Sequence, residues 1–329
     1  MKPLRDRLRI NSTNVRPIAL ALIVASATVG CAPALRAPRT FESRGESRGP
    51  SRAIVGDAES LVREGSAYAA QGQWTHALHA FDQALDLNAN LALAHYNRGV
   101  ALVALDRVDE ALRAYGDALR LDASLSEARV NMGVELFKMG RAADALTALR
   151  HAGRTSPQLA AAHHNLGVVL ADLGRLDEAV PPLERARALA PDEPAIRTAL
   201  AETHYNAGVN LTRQRLWREA IARYRTALGV NRELPEGFNG LGVALARLND
   251  HHDAVAMYRE AVRLRPSYAE AHYNLAISLA AVGRYEEAIE SCRATLEAQP
   301  GLREAISLLE SLQRAHGESA RPVRAPVSQ

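Results

Sequence analysis

Asparagine recurs in this chain at Asn97, Asn131, Asn165, Asn206 and Asn274, and three residues after each stands Val100, Val134, Val168, Val209 or Ile277. One residue before the amides stand Tyr96, Val130, His164, Tyr205 and Tyr273. A side-chain amide carries one acceptor and two donors, so it can pair with both polar groups of a peptide unit. The same amide can equally bond inside its own fold, and residue type leaves both uses open. Val243 continues the aliphatic series at a point where Gly240 interrupts the amides. An apolar stripe with tyrosines, flanked by amides, is chemistry for holding an extended peptide. His76 and His79 are three apart and could share a helix face as a metal pair. The sequence supplies no further ligand, so neither a metal nor a cofactor is expected.

The elements that position these residues are periodic. From Ala58 the chain repeats every 34 residues, in units 58–91, 92–125, 126–159, 160–193, 201–234, 235–268 and 269–302. The eighth position is Gly65, Gly99, Gly133, Gly167, Gly208, Gly242 and then Ala276. The twentieth is alanine in every unit, from Ala77 to Ala288, and the twenty-seventh is alanine except at Thr295. Small residues there let two helices approach, while Phe81, Tyr115, Leu149, Leu183, Tyr224, Tyr258 and Cys292 fill the space between. Pro157, Pro191, Pro266 and Pro300 fall between units, where proline stops a helix.

This pattern resembles the tetratricopeptide repeat (TPR), a helix–turn–helix unit of that period, over residues 58–302. The resemblance implies an all-α fold: a right-handed TPR α-solenoid of seven repeats with a C-terminal capping helix. It also implies a concave surface lined by positions 2, 5, 6, 9, 12 and 13 of the first helices. The residues named in the opening paragraph occupy positions 5, 6 and 9. With first helices about 10 Å apart and a strand rising about 3.3 Å per residue, successive amides could meet a guest chain at about every third residue. This resembles the asparagine ladder of O-linked N-acetylglucosamine transferases. The Lys/Arg pattern of carboxylate-clamp TPR domains is missing, with Val62 and Ser66 in its first places. A terminal carboxylate is therefore not the expected ligand.

Three irregularities interrupt the period. Residues 194–200 form an extra heptad; seven residues fall only about 20° short of two turns, so the first helix of the fifth unit is expected to lengthen by about two turns. Pro181 and Pro182 should remove backbone bonds and bend or delay a second helix. Glu64 and Arg98 replace an apolar seventh position, as suits a solvent-facing end. A capping helix is expected over 303–316, with Ile306, Leu308, Leu309 and Leu312 as its apolar face, and a disordered tail over 317–329.

The amino terminus reads as a targeting segment. Basic residues precede an uncharged run from Ile18 to Val29, which is too short to span a membrane. Thr28-Val29-Gly30-Cys31 resembles the bacterial lipobox, which implies a signal peptide over 1–30, lipidation of Cys31 and outer-membrane sorting, with a flexible linker over 31–57. Cleavage after Ala25-Ser26-Ala27 is the alternative and would release a soluble periplasmic or secreted protein. Cys292 sits at a core position, which leaves no partner for an intrachain disulfide. The formal +3 belongs to leader and linker, because residues 57–329 hold 30 basic and 34 acidic residues, a net of −4. Nucleic-acid binding has no support in that balance.

Catalytic signals are weak. Asp250-His251-His252 matches the short motif of one phosphoesterase family but lies in a turn, without that family's strands and partner aspartates. The expectation is a non-enzymatic scaffold of the cell envelope. It binds a protein or peptide partner and touches membrane through its lipid alone. The layout resembles that of bacterial TPR lipoproteins of pilus and secretin assembly. The alternative function is an adaptor that recruits substrates to a separate enzyme.

Overall fold

The computed structural model describes residues 52–319. The leader, Cys31, most of the linker and the end of the tail lie outside these residues. Fifteen helices, with no strand among the described residues, follow in order. The first four hairpins are α1 (Arg52–Ala70) with α2 (Trp74–Leu87), α3 (Ala92–Ala104) with α4 (Val108–Leu121), α5 (Ser126–Lys138) with α6 (Ala142–Thr155), and α7 (Ala160–Asp172) with α8 (Leu176–Leu189). Then come α9 (Pro194–Arg213) with α10 (Trp217–Val230), α11 (Pro235–Arg247) with α12 (His251–Leu264), and α13 (Ala269–Ala281) with α14 (Tyr285–Ala298). α15 (Arg303–Ser319) closes the series. The chain divides into two compact units, of which residues 52–196 and 197–319 are described. In the first, each hairpin packs its second helix on the next first helix, as α2 does on α3 and α6 on α7. The second unit repeats this with α10 on α11, α12 on α13 and α14 on α15.

Packing within a hairpin follows from one small and one large residue. A Cβ added at Gly99 would lie 2.5 Å from Tyr115 Cε1, and one at Gly133 would lie 2.8 Å from Leu149 Cγ. The eighth-position glycines thus admit the filler of the facing helix. In the seventh hairpin the eighth position is Ala276, and there the filler shrinks to Cys292. Ala77, Ala111, Ala145, Ala179, Ala220, Ala254 and Ala288 are all fully buried. Each buried large filler contributes roughly 1.5–3 kcal/mol relative to exposure.

The turn inside each hairpin ends its first helix with a residue in the left-handed region. Gly72, Gly140, Gly174 and Gly283 supply it, with φ between 72° and 79°. The next N–H then bonds five residues back, as from Arg141 to Leu136 O at 2.8 Å. Asp106, Arg215 and Asn249 hold the same conformation at φ 59°, 62° and 68° without glycine's freedom.

The irregularities resolve physically. α9 is one helix of 20 residues against 13 in α3, α5, α7, α11 and α13, so the extra heptad does lengthen it. α8 keeps the 14 residues of other second helices despite Pro181 and Pro182, so the expected delay does not occur. Asp177 and Glu178, whose carbonyls lose their helical donors, are exposed, where water can serve instead. Arg98 sits on the ion pair it makes with Asp82 at 2.6 Å, and Glu64 is exposed. α1 begins at Arg52, six residues inside the expected linker, and α15 runs three residues past 316. On α15 Ala305, Leu308 and Leu312 face inward while Ile306 is 42 % exposed. Ile306 was expected on the apolar face, but one residue beyond Ala305 turns it about 100° away. No helix among the described residues is long and apolar enough to cross a membrane.

Candidate functional site

The amide series sits on the first helices, and Asn97, Asn131 and Asn274 each bond the repeat before their own. Asn97 Nδ2 donates to Ser66 Oγ at 3.5 Å, and Asn131 Nδ2 donates to the Tyr96 hydroxyl at 3.4 Å. In the second unit Asn274 Nδ2 donates to Asn239 Oδ1 at 3.0 Å. Asn239 Nδ2 in turn lies 3.1 Å from Glu270 Oε1 and 3.4 Å from the Tyr268 hydroxyl. These side chains therefore tie neighbouring first helices together, the internal use that residue type had left open. None of Tyr96, Asn131, His164, Asn165, Tyr205, Asn206, Tyr273 and Asn274 is without a further partner.

Exposure differs from the sequence expectation. An open trough lined by the ninth and fifth positions was expected, yet Val134 and Val168 are 0 % and Val243 1 % exposed. Val130, Val209 and Ile277 are buried with them, as are Tyr96, Asn131, His164, Asn165, Tyr205, Asn206, Tyr273 and Asn274. Part of the reason is ring packing: Tyr96 lies 6.1 Å from Tyr115 and Tyr205 lies 5.8 Å from Tyr224, centroid to centroid. Tyr205, Val209, Val243, Tyr273 and Ile277 belong to one apolar cluster with the second-helix fillers. Burial pushes the Tyr224 hydroxyl up to about 12, which keeps it a neutral donor or acceptor at 3.2 Å from Thr212 Oγ1. On α3 part of the face stays half-open, at Asn97, Val100 and Val103, beside exposed Leu93, and on α1 Arg63 is exposed and Ser66 half-buried.

Carboxylates at the second position escaped sequence reasoning. Glu236 is buried and bonds Arg265 at 2.5 Å, and the Arg265 guanidinium lies 4.9 Å from the Tyr268 ring centroid. The signal was present, since Glu127, Glu202, Glu236 and Glu270 all share that repeat position.

Three histidines at the fourth repeat position bond backbone carbonyls. His95 Nε2 lies 3.0 Å from Ala89 O, His163 Nε2 3.2 Å from Pro157 O and His272 Nε2 2.8 Å from Pro266 O. Each pins the turn that leads into its own helix. Asp250 accepts from the Asp253 N–H at 3.3 Å as the N-cap of α12, and His251 Nδ1 is 3.4 Å from Ser278 Oγ. The Asp-His-His run is thus a helix start. His76 stacks near Tyr68 at 5.4 Å, and among the described residues no group of three or more metal-ligating side chains forms.

No curated protein sequence matches the chain. A TPR repeat-containing protein of Cytophaga hutchinsonii is 16 % identical, with a TM-score of 0.57 over 78 % of this chain and 99 % of that one. YrrB, described as a TPR protein with an unusual peptide-binding site, is 23 % identical over 58 % of this chain and 95 % of its own, with a TM-score of 0.46. The first TPR of Spaghetti, solved with an HSP90 peptide, is 25 % identical over 36 % and 93 %, with a TM-score of 0.35. These likenesses are of fold. Models of the tetratricopeptide repeat match residues 65–106, 92–124, 130–194, 205–251 and 239–303, and the chain belongs to the TPR family.

Proposed function

We propose that this TPR protein is a scaffold of the bacterial cell envelope that captures extended segments of a partner against its first helices. Its family is one of protein-interaction scaffolds, and the proposal adds the surface and the place. The observation that carries the surface is the half-open stretch of α3, where Asn97, Val100 and Val103 lie beside Leu93. An amide next to aliphatic carbon can hold a peptide unit and its side chain together. Capture starts there and extends along the buried amides only as far as a guest displaces their present partners. The test is a photocrosslinker placed at Val100, compared with one at exposed Arg293 on the second-helix side. Adducts of one partner from Val100 alone support the surface; equal or exclusive capture from Arg293 sinks it.

The envelope reading rests on the basic segment, the Ile18–Val29 run and Cys31. A diacylglyceryl Cys31 as the mature amino terminus, seen by mass spectrometry, supports it; a free Thr28 start replaces the anchor with a soluble adaptor. Assembly of a pilus, a secretin or another envelope complex is the process we infer for an anchored scaffold of this layout. The chain is not an enzyme in this reading, and hydrolase activity of pure protein that vanished with His251→Ala would overturn that.

A further inference from the structure

Residues 213–232 carry Arg213, Arg215, Arg218, Arg223, Arg225 and Arg232 against a single acidic residue, Glu219. This run stands in a region, 57–329, whose net charge is −4. Some surface arginines elsewhere meet carboxylates, as Arg107 meets Glu110 and Arg175 meets Glu178, each at 2.6 Å, while others among the described residues, such as Arg154 and Arg187, do not. Among the described residues Arg225 and Arg232 have no ion-pair partner. Both line a cleft of about 500 Å³ bordered by α10, α11 and α12, within the second unit. Arg263 and Glu260 line it too and pair with each other on α12 at 2.9 Å, so the one carboxylate in the lining is already matched and Arg225 and Arg232 remain in excess.

The floor of the cleft is apolar. Leu228 is buried and Phe238 half-buried. Gly229 leaves room above them, since a Cβ there would meet nothing within 4 Å. Phe238 holds the fourth repeat position, where His95, His163 and His272 bond the preceding turn. A phenyl ring makes no such bond and offers carbon to the cleft instead.

We propose that this cleft docks an acidic segment of a partner protein that carries an apolar side chain among its carboxylates. The unmatched charge selects the occupant: Arg225 and Arg232 present forks that match carboxylates in pairs, and they repel a basic chain. The apolar side chain enters over Gly229 and rests on Leu228 and Phe238. A bilayer surface could neutralise the arginines, but a flat headgroup plane does not reach a recessed floor. The site lies on the second-helix side and does not depend on capture along the first helices.

The test uses the full chain and a fluorescein-labelled peptide of repeated Glu-Glu-Phe triplets, read by anisotropy at low salt. Replacing Arg225 and Arg232 together by Ala is expected to weaken binding by about tenfold or more. Gly229→Leu fills the cleft, changes no charge, and is expected to weaken binding by a similar factor. A peptide of Glu alone should bind more weakly than the triplet peptide. Unchanged binding by either variant overturns the proposal. So does an all-Glu peptide that binds as well as the triplets, or phosphatidylglycerol vesicles that bind while the peptide does not. Should the double arginine variant fail to fold, Gly229→Leu still decides, because its Cβ has open space to occupy.

Discussion

A single methyl at Gly133 places carbon 2.8 Å from Leu149 Cγ, closer than side chains tolerate. Gly133→Ala should therefore lower unfolding free energy in urea by about 1–3 kcal/mol. The seventh hairpin already contains the relief, Ala276 against Cys292. Leu149→Cys added to Gly133→Ala should recover part of the loss, and strictly additive losses would disprove the coupling. Asn131 is a second residue with a measurable bond. Asn131→Ala removes its donation to Tyr96 and should cost about 0.5–1.5 kcal/mol in melting experiments, a cost that a purely guest-binding amide would not show.

His163 supplies the pH dependence. Burial, the largest influence, holds its ring below the ordinary histidine value. The folded chain thus favours the neutral ring, and on acidification the unfolded chain takes up the proton first. Its contribution to stability is full above the unfolded value of about 6.5 and declines as pH falls through it. His251 is shifted the same way for the same reason. The melting temperature should drop between neutral pH and pH of about 5.5, and His163→Phe should flatten that drop without abolishing it.

Among the elements, the hairpin turns separate conformation from contact. Arg215 holds φ 62° where four other repeats use glycine. Arg215→Gly should raise stability by roughly 0.5–1 kcal/mol, and Asn249→Gly by less, because asparagine tolerates the left-handed region better. Gly140→Ala should move stability the other way, measured on the same denaturation curves. The extra heptad of α9 and the prolines of α8 make a related point. Seven residues kept the helix face because they nearly complete two turns. Pro181 and Pro182 are tolerated where the orphaned carbonyls belong to exposed residues.

For the molecule, α15 matters most to the end of the second unit. Cys292 is buried, its Sγ lies 3.1 Å from Ala305 O, and burial pushes the thiol up to about 11. In the whole protein it should resist Ellman's reagent. Truncation after Leu302 removes the cover supplied by Ala305 and Leu308, and the rate should rise on the order of a hundredfold. A thiol equally slow after truncation would show that α14 and α13 shield it unaided. The first-helix face raises the opposite question, since its ninth positions are sealed from the third repeat onward while α3 stays half-open.

Periodicity made the hairpins, their boundaries and their small-against-large packing legible, because those contacts recur in every repeat and each recurrence marks the same position. Glycine facing Tyr115 or Leu149, alanine at the twentieth position and proline after the second helix all belong to that class. Exposure does not recur in this way. Whether Val134 meets water or carbon depends on how far neighbouring elements stand from it, and Asn274 finds Asn239 only through the spacing of two helices 35 residues apart. The cleft of Arg225, Arg232 and Phe238 was hidden for the same reason: it occurs once, and three helices must assemble before its walls face each other.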